Sequence, residues 1–278
     1  MGAYQLKFFT LGCGNAFGSR LTTTSFLVVS GDCVCLIDCP YKVHNVLSEL
    51  SLKTGLSITT EQITHVLVTH NHWDHVAGLE MFLRMRLVTR GSDGKMPVVV
   101  TTEQIYEDLW NHTLKGSLQY FMDGQGCEYS MSDADYMDFL AVKTGTSVTL
   151  GEMTLRVRSN RIHPGPTIGV RLSDGGYDIG YSGDGVYDLA MIARLYEDGS
   201  ISDEERSDML DFLWDARLIF HEVGADSEAV HTRLPSLLAL PAPVREKIRL
   251  VNLADDYQTD EICLAEQFTE YTSEARLP

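Results

Sequence analysis

The sequence predicts a mixed α/β protein folded as one domain over residues 1–278. Three observations carry that expectation. Two sets of short apolar runs, each punctuated by turn residues, predict two groups of strands. Stretches with 3.6-residue apolar spacing between and after them predict helices. No Pro-rich linker, low-complexity tract or internal repeat divides the chain into separate folding units.

Taken in order, 6–11, 25–29 and 34–38 read as strands joined by Gly/Ser/Asn-rich connections, which is the pattern of an antiparallel meander. Val43, Val46, Leu47 and Leu50 share one face of a helix over 43–50, and 65–69 is a β-type run that ends in a histidine cluster. Residues 90–146 are less regular. Within them Gly91-Ser-Asp-Gly-Lys breaks the chain, 97–101 is strand-like, 103–110 helical, and the region is read as an elaboration near the functional site. Its stretch Tyr120-Phe-Met, Tyr129, Met131 and Tyr136-Met-Asp-Phe reads as a lid, a homodimer contact or core packing. Alternation returns at 147–150, 153–158, 167–172 and 177–181. After these, 186–195 and 204–214 read as amphipathic helices, 218–221 as a strand, 233–240 as a helix, 248–253 as the last strand and 260–268 as a final helix. The acidic run 198–215 reads as solvated helix faces.

Charge narrows the partners. With 22 Lys+Arg against 39 Asp+Glu the formal charge is −17, and no run of basic residues offsets it. Such a field repels phosphate backbones and disfavours polymeric nucleic acid. It does not disfavour a small anion, because a bound divalent metal would dominate the charge within its own site. The amino terminus lacks a basic stretch followed by an apolar run, Gly2 lacks the Ser or Thr at position 6 that myristoylation requires, and no apolar stretch is long enough to span a bilayer. The expectation is a cytoplasmic protein with no membrane partner. The six cysteines are expected to be reduced thiols, and Cys33-x-Cys35-x-x-x-Cys39 to hold two alternating buried thiols and not a metal knot, since no second cysteine pair lies nearby.

The decisive segment is Val68-Thr69-His70-Asn71-His72-Trp73-Asp74-His75. His70 and His72, two apart in an extended segment, project to one side and can meet one ion, while Asp74 and His75 can address a second. Packing alone gives no reason to concentrate such groups after an apolar strand. Further candidates stand at strand-to-loop junctions: His163 before Pro164-Gly-Pro, Asp184 within Ser182-Gly-Asp-Gly, and His231 after a polar loop. A carboxylate between two divalent ions can bridge them, and Asp184 is the best placed for it. The ligand set suits Zn²⁺, with Mn²⁺ or Fe²⁺ also compatible.

This arrangement of Asp38, the His70/His72/Asp74/His75 cluster, His163, Tyr181-Ser-Gly-Asp184 and His231 resembles the five ordered motifs of the metallo-β-lactamase superfamily. The resemblance implies a four-layer αββα sandwich of two mixed β-sheets flanked by helices, with a two-metal site at one edge. It further implies that His70, His72 and His163 hold the first ion, that Asp74, His75 and His231 hold the second, that Asp184 bridges, and that Asp38 orients a ligand from behind. The redox di-iron members carry Glu where this chain has His72, which favours hydrolysis, whereas single-iron dioxygenase relatives share the motif.

Hydrolysis follows from the ions. Water held between two divalent cations loses its proton near neutrality, so a bridging hydroxide is the expected nucleophile and Asp74 can steer its proton. The Leu11-Gly-Cys-Gly-Asn turn, the Tyr-Ser-Gly-Asp form and Ile219-Phe-His221-Glu222 resemble the ribonuclease Z and cyclic-nucleotide phosphodiesterase branch. That resemblance makes His221 the candidate general acid and Glu222 its orienter, unless Phe220-His221 is merely the end of a buried strand. The short stretch between His163 and Asp184 leaves no room for the substrate-handling insertion of ribonuclease Z. The reading is therefore a metal-dependent phosphodiesterase acting on a small phosphodiester such as a cyclic nucleotide. An RNA endonuclease, a lactonase or thioesterase, and a non-catalytic ligand sensor are the alternatives. Trp73 either stacks on a base or shields the ligands.

Overall fold

A computed structural model describes residues 6–89, 94–225 and 230–272 of the chain. Its strands are, in chain order, β1 (Lys7–Gly12), β2 (Ser25–Ser30), β3 (Cys33–Ile37), β4 (His65–Leu67), β5 (Val98–Thr101), β6 (Tyr120–Met122), β7 (Glu128–Ser130) and β8 (Asp138–Ala141). They continue as β9 (Ser147–Leu150), β10 (Met153–Asn160), β11 (Thr167–Ser173), β12 (Asp178–Tyr181), β13 (Leu218–Glu222), β14 (Ile248–Val251) and β15 (Glu270–Thr272). One sheet has the order β15-β1-β2-β3-β4-β5-β8 and the other β14-β13-β12-β11-β10-β9, while β6 and β7 form a separate ribbon. Each sheet is antiparallel where consecutive strands turn back on themselves and parallel where a longer crossover intervenes, at β3/β4/β5/β8 and at β12/β13/β14.

The two sheets meet through an aromatic cluster. Phe8 of β1 stacks on Phe220 of β13 at 5.0 Å, and Phe26 of β2 lies 4.9 Å from both Phe220 and Tyr181 of β12. All four rings are buried. Helices cover the outer faces: Val43–Thr54 packs against β1, and Asp203–Asp211 packs against β10. Arg158 Nη1 of β10 ties the second helix down by donating to the Asp208 and Met209 carbonyls at 3.2 and 3.1 Å. The layers therefore run helix, sheet, sheet, helix, as expected. Cover on both faces explains why β3 is buried at every position. Cys33 and Cys35 lie within it and Cys39 just beyond, all buried free thiols.

Several boundaries differ from the sequence expectation for local reasons. The helix expected from 186 begins at Leu189, because the Asp188 carboxylate caps it by accepting from the Ala190 and Met191 amides. The expected 204–214 helix is Asp203–Asp211, set by the capping box of Ser202 and Glu205, and the 233–240 helix shortens to Leu234–Leu238. The expected helix at 260–268 does not form. Its backbone is taken up laterally: the Leu250 amide donates to the Cys263 carbonyl, the Ala265 amide to the Leu250 carbonyl, and the Phe268 amide to the Thr10 carbonyl. This leads the chain into β15, so the strand at 248 is not the last. Of the irregular region, β5 and β8 belong to the first sheet, and Tyr120, Met122 and Tyr129 of the ribbon are exposed while Tyr136 and Met137 are buried. The break at 91–93 lies outside the described residues. Among the described residues no helix is long and apolar enough to cross a membrane.

Candidate metal centre

The candidate ligands gather where strands of both sheets end. Strand β4 stops at Leu67, and the next residues are held between the sheets: the Val68 amide donates to the Val100 carbonyl, and the Ile168 amide to the Thr69 carbonyl. A short helical turn, Trp73–Val76, then follows His72 and turns Asp74 and His75 inward, where both are buried. Gly78 lets this turn sit against the loop after β3, since a Cβ there would lie 2.0 Å from the Pro40 carbonyl oxygen. Asp184 follows β12 through Gly183, whose φ of 58° and a Cβ position 2.4 Å from the Ile168 oxygen admit only glycine.

Two groups of ligand atoms result. Those of His70, His72, His163 and Asp184 lie within 4.8 Å of one another, and so do those of Asp74, His75 and Asp184. Asp184 belongs to both, with Oδ2 3.8 Å from His70 Nε2 and Oδ1 3.4 Å from His75 Nε2. In the second group His75 Nε2 is 3.4 Å from Asp74 Oδ2, and in the first His163 Nε2 is 3.0 Å from His72 Nδ1. Nitrogens bound to one tetrahedral zinc at ~2.0–2.1 Å sit about 3.3 Å apart, so the spacing fits a cation. The polar inventory fits as well. His70 Nε2, His75 Nε2 and Asp184 Oδ1 are buried with no hydrogen-bond partner, a costly state that a metal ion would relieve.

Hydrogen bonds behind the ligands fix which nitrogen faces the site. Asp38, fully buried and held at φ 56°, accepts from the Thr69 amide at 2.8 Å and from His75 Nδ1 at 2.8 Å. Thr69 Oγ1 donates to Asp38 at 2.8 Å and lies 3.1 Å from His70 Nδ1. One carboxylate thus assigns the Nδ1–H tautomer to His75 directly and to His70 through a hydroxyl, leaving both Nε2 lone pairs on the cation side. His163 Nδ1 lies 3.3 Å from the Val230 carbonyl, which leaves its Nε2 free in the same sense. Burial holds the His70 and His163 rings neutral, with the His163 pKa lowered to about 4. Burial opposes charge on Asp184 and His75 too, but each outweighs it for the other: His75 keeps the Asp184 carboxyl far below its ordinary range, and Asp184 with Asp38 raises His75.

Two expectations are corrected. His231 joins neither ligand group. Its Nδ1 lies 3.0 Å from Glu222 Oε2, and its ring is 5.9 Å from that of His163. His221 is not beside the ligands. Strand residues alternate sides, so with Phe220 against Phe8 in the inter-sheet core, His221 faces the outer layer and Glu222 faces inward. There His221 is fully buried, stacked on Trp214 at 5.7 Å, with Nδ1 2.8 Å from the Glu222 carbonyl. Glu222 does orient a histidine, but that histidine is His231. Its Oε1 accepts from the Thr232 amide and hydroxyl at 2.7 and 2.5 Å, and burial raises its pKa.

A cavity of about 220 Å³ opens onto the cluster, bounded by Asn15, Phe17, Trp73, Pro164, His231 and Asn252 together with His72, Asp74, His163 and Asp184. Asn15 closes the Leu11-Gly-Cys-Gly-Asn turn that the sequence singles out, whereas Phe17 and Asn252 escaped the sequence reading. No motif marks those two, and only tertiary structure brings the β1–β2 loop and the end of β14 to this edge.

Residues 6–276 match the family model described as Anti-Pycsar protein Apyc1. An Anti-Pycsar protein Apyc1 from Paenibacillus sp. (strain J14) is 30% identical over 257 residues, covering 91% of each chain. The cAMP/cGMP-dependent 3′,5′-cAMP/cGMP phosphodiesterase B of Dictyostelium discoideum is 27% identical over 237 residues, which are 85% of this chain and 19% of that protein. Among solved structures, the metallo-β-lactamase fold protein YhfI from Bacillus subtilis superposes with a TM-score of 0.65 at 18% identity, covering 96% of this chain and 99% of that one.

Proposed function

The chain belongs to the Anti-Pycsar protein Apyc1 family, and we propose that it is a metal-dependent phosphodiesterase that opens the 3′,5′-phosphodiester ring of a cyclic nucleotide. It is a hydrolytic enzyme with the metallo-β-lactamase fold and a divalent-metal site. The observation that carries the reading is the carboxylate of Asp184 divided between two ligand groups whose buried donor atoms have no other partner. His70, His72, His163 and Asp184 Oδ2 would hold one cation, and Asp74, His75 and Asp184 Oδ1 a second, with zinc best suited to this donor set. Two such ions, when bound, make water a nucleophile near neutrality and offset the charge that builds on a transferring phosphoryl group.

The chain's own residues do the rest. Asp38 and Thr69 hold the His70 and His75 rings in the ligating tautomer. Asp74, at the cavity wall, is placed to accept the proton of the attacking water. Glu222 holds His231 by Nδ1, and the ring of His231 lines the cavity, where it is assigned the task of protonating the departing ribose oxygen. His231 therefore takes the general-acid role expected of His221.

Hydrolysis of cyclic AMP and of bis(p-nitrophenyl) phosphate by zinc- or manganese-loaded protein tests this. The expected result is metal-dependent turnover of both, falling to background in Asp184→Ala and His72→Ala. Absence of metal-dependent phosphodiester turnover would discard the reading, and turnover of lactones alone would replace it with the lactonase alternative.

A further inference from the structure

Phe17 and Trp73 flank the mouth of the cavity and are both exposed to water, Phe17 at 89% and Trp73 at 54%. Phe8, Phe26, Phe82 and Phe220 are by contrast fully buried, so the chain is well able to bury this side chain type. The exposure of Phe17 is not a consequence of a loose loop. The side-chain oxygen of Asn15 accepts from the Phe17 and Gly18 amides at 3.1 and 2.8 Å, and the Asn15 amide itself donates to the Leu253 carbonyl at 2.9 Å. On the far side, the Asp255 carboxylate accepts from the Ser19 amide and hydroxyl and from the Arg20 amide at 2.8–3.0 Å. The backbone is fixed from both ends while the ring stays exposed at the cavity wall. Trp73 is constrained differently. It begins the turn that buries Asp74 and His75, and placing those two inward leaves the indole outward on the solvent side of the ligands.

We propose that Phe17 and Trp73 form the nucleobase subsite, gripping the base of a cyclic nucleotide whose phosphate lies at the metal cluster. This deepens the phosphodiesterase reading and rests on it. A phosphodiester of this class has one charged end, which the cations would take, and one flat aromatic end, which needs a π surface. Among the described residues, the two rings are the large aromatic side chains of the cavity wall besides its histidines, and no Lys or Arg stands there to hold a second phosphate. They act on specificity, touching the base and not the reacting atoms.

The test compares cyclic AMP with the abasic 1-deoxyribose 3′,5′-cyclic phosphate, which keeps the reacting ring and lacks the base, on metal-loaded full-length protein. In Phe17→Ala and in Trp73→Leu the ratio of kcat/KM for cyclic AMP to that for the abasic ester should fall roughly 10-fold or more, through KM, because each base–aromatic stack is lost separately. Phe17→Tyr should restore the ratio. An unchanged ratio in both variants, with or without a loss common to the two esters, overturns the subsite and leaves the phosphodiesterase reading intact. Failure of the unmodified enzyme to hydrolyse either ester overturns that reading first and the subsite with it. Sedimentation of Phe17→Ala separates the remaining explanation: a drop in mass relative to the parent protein would mean that Phe17 packs against a second copy, which also overturns the subsite.

Discussion

Replacing Asp38 by Asn tests the chain of hydrogen bonds that makes the metal centre. The substitution keeps the volume and retains one oxygen to accept from the Thr69 amide, but an amide NH₂ then confronts the Thr69 hydroxyl or His75 Nδ1, 2.8 Å away on the native carboxylate. Two donors cannot share that contact. The His75 ring must move its proton to Nε2, the atom that stands 3.4 Å from both Asp74 and Asp184 and must be unprotonated to ligate. His75 is 1% exposed and Asp38 fully buried, so water does not compensate. A hydrogen bond to a charged group contributes about 1.5–3 kcal/mol, equivalent to roughly a 10- to 150-fold change in affinity at the second cation position. Competition with a chromophoric chelator reads the two affinities separately. The weaker site should lose affinity by that factor, while the metal-free protein stays folded because a buried charge has been removed and its volume kept. Affinity within about threefold of the parent protein would refute the argument, since orienting partners of this kind normally matter 10- to 100-fold.

Four other outcomes follow from the same geometry. His231→Gln and Glu222→Gln should each slow cyclic AMP hydrolysis far more than bis(p-nitrophenyl) phosphate hydrolysis, because nitrophenolate leaves without a proton; equal losses on the two esters would remove the general-acid role. His221→Phe should show no such dependence on the leaving group. The same variant probes pH dependence: burial lowers the His221 pKa from 6.5 to about 4, so the unfolded chain binds the proton more readily between those values and acidification destabilises the fold. Between pH 7 and 5 that group costs about 2 kcal/mol, and the melting temperature of the parent should fall about 5 °C further than that of His221→Phe. Phe26→Ala removes a ring packed on Phe8, Tyr181 and Phe220 and should cost about 4 kcal/mol, read as a reduced urea midpoint with the m-value unchanged.

The sequence disclosed what is local. His70, His72, Asp74 and His75 lie within six positions, and no apolar periodicity explains them, so their chemistry shows without a fold. Strands with two buried faces were equally plain as unbroken apolar runs. What stayed hidden depends on partners distant in the chain. The segment after 260 has helical spacing, yet its backbone is claimed by Leu250 and Thr10, and no local signal announces a neighbouring strand edge. The His221-Glu222 pair posed a sharper problem. Which of two adjacent strand residues faces the site is a question of parity, and parity was set by Phe220 packing on Phe8, more than two hundred positions away.

That same parity shows how one strand end serves two purposes. Phe220 closes the inter-sheet core, and two residues later, on the same face, Glu222 emerges at the rim and holds His231. Tyr181 and Asp184 repeat the scheme on β12, and Ile37 and Asp38 on β3, where a positive φ swings the carboxylate out of the strand's alternation and towards His75. Each polar group thus stands one to three positions beyond a buried core residue of its strand. Loosening the core at Phe26 should therefore disturb the cluster as well as the stability, and metal affinity in Phe26→Ala should fall even at temperatures where the protein remains folded. Unaltered affinity in that variant would mean that the rim is held by its own hydrogen bonds alone, with Asp38 and Glu222 sufficient without the packing beneath them.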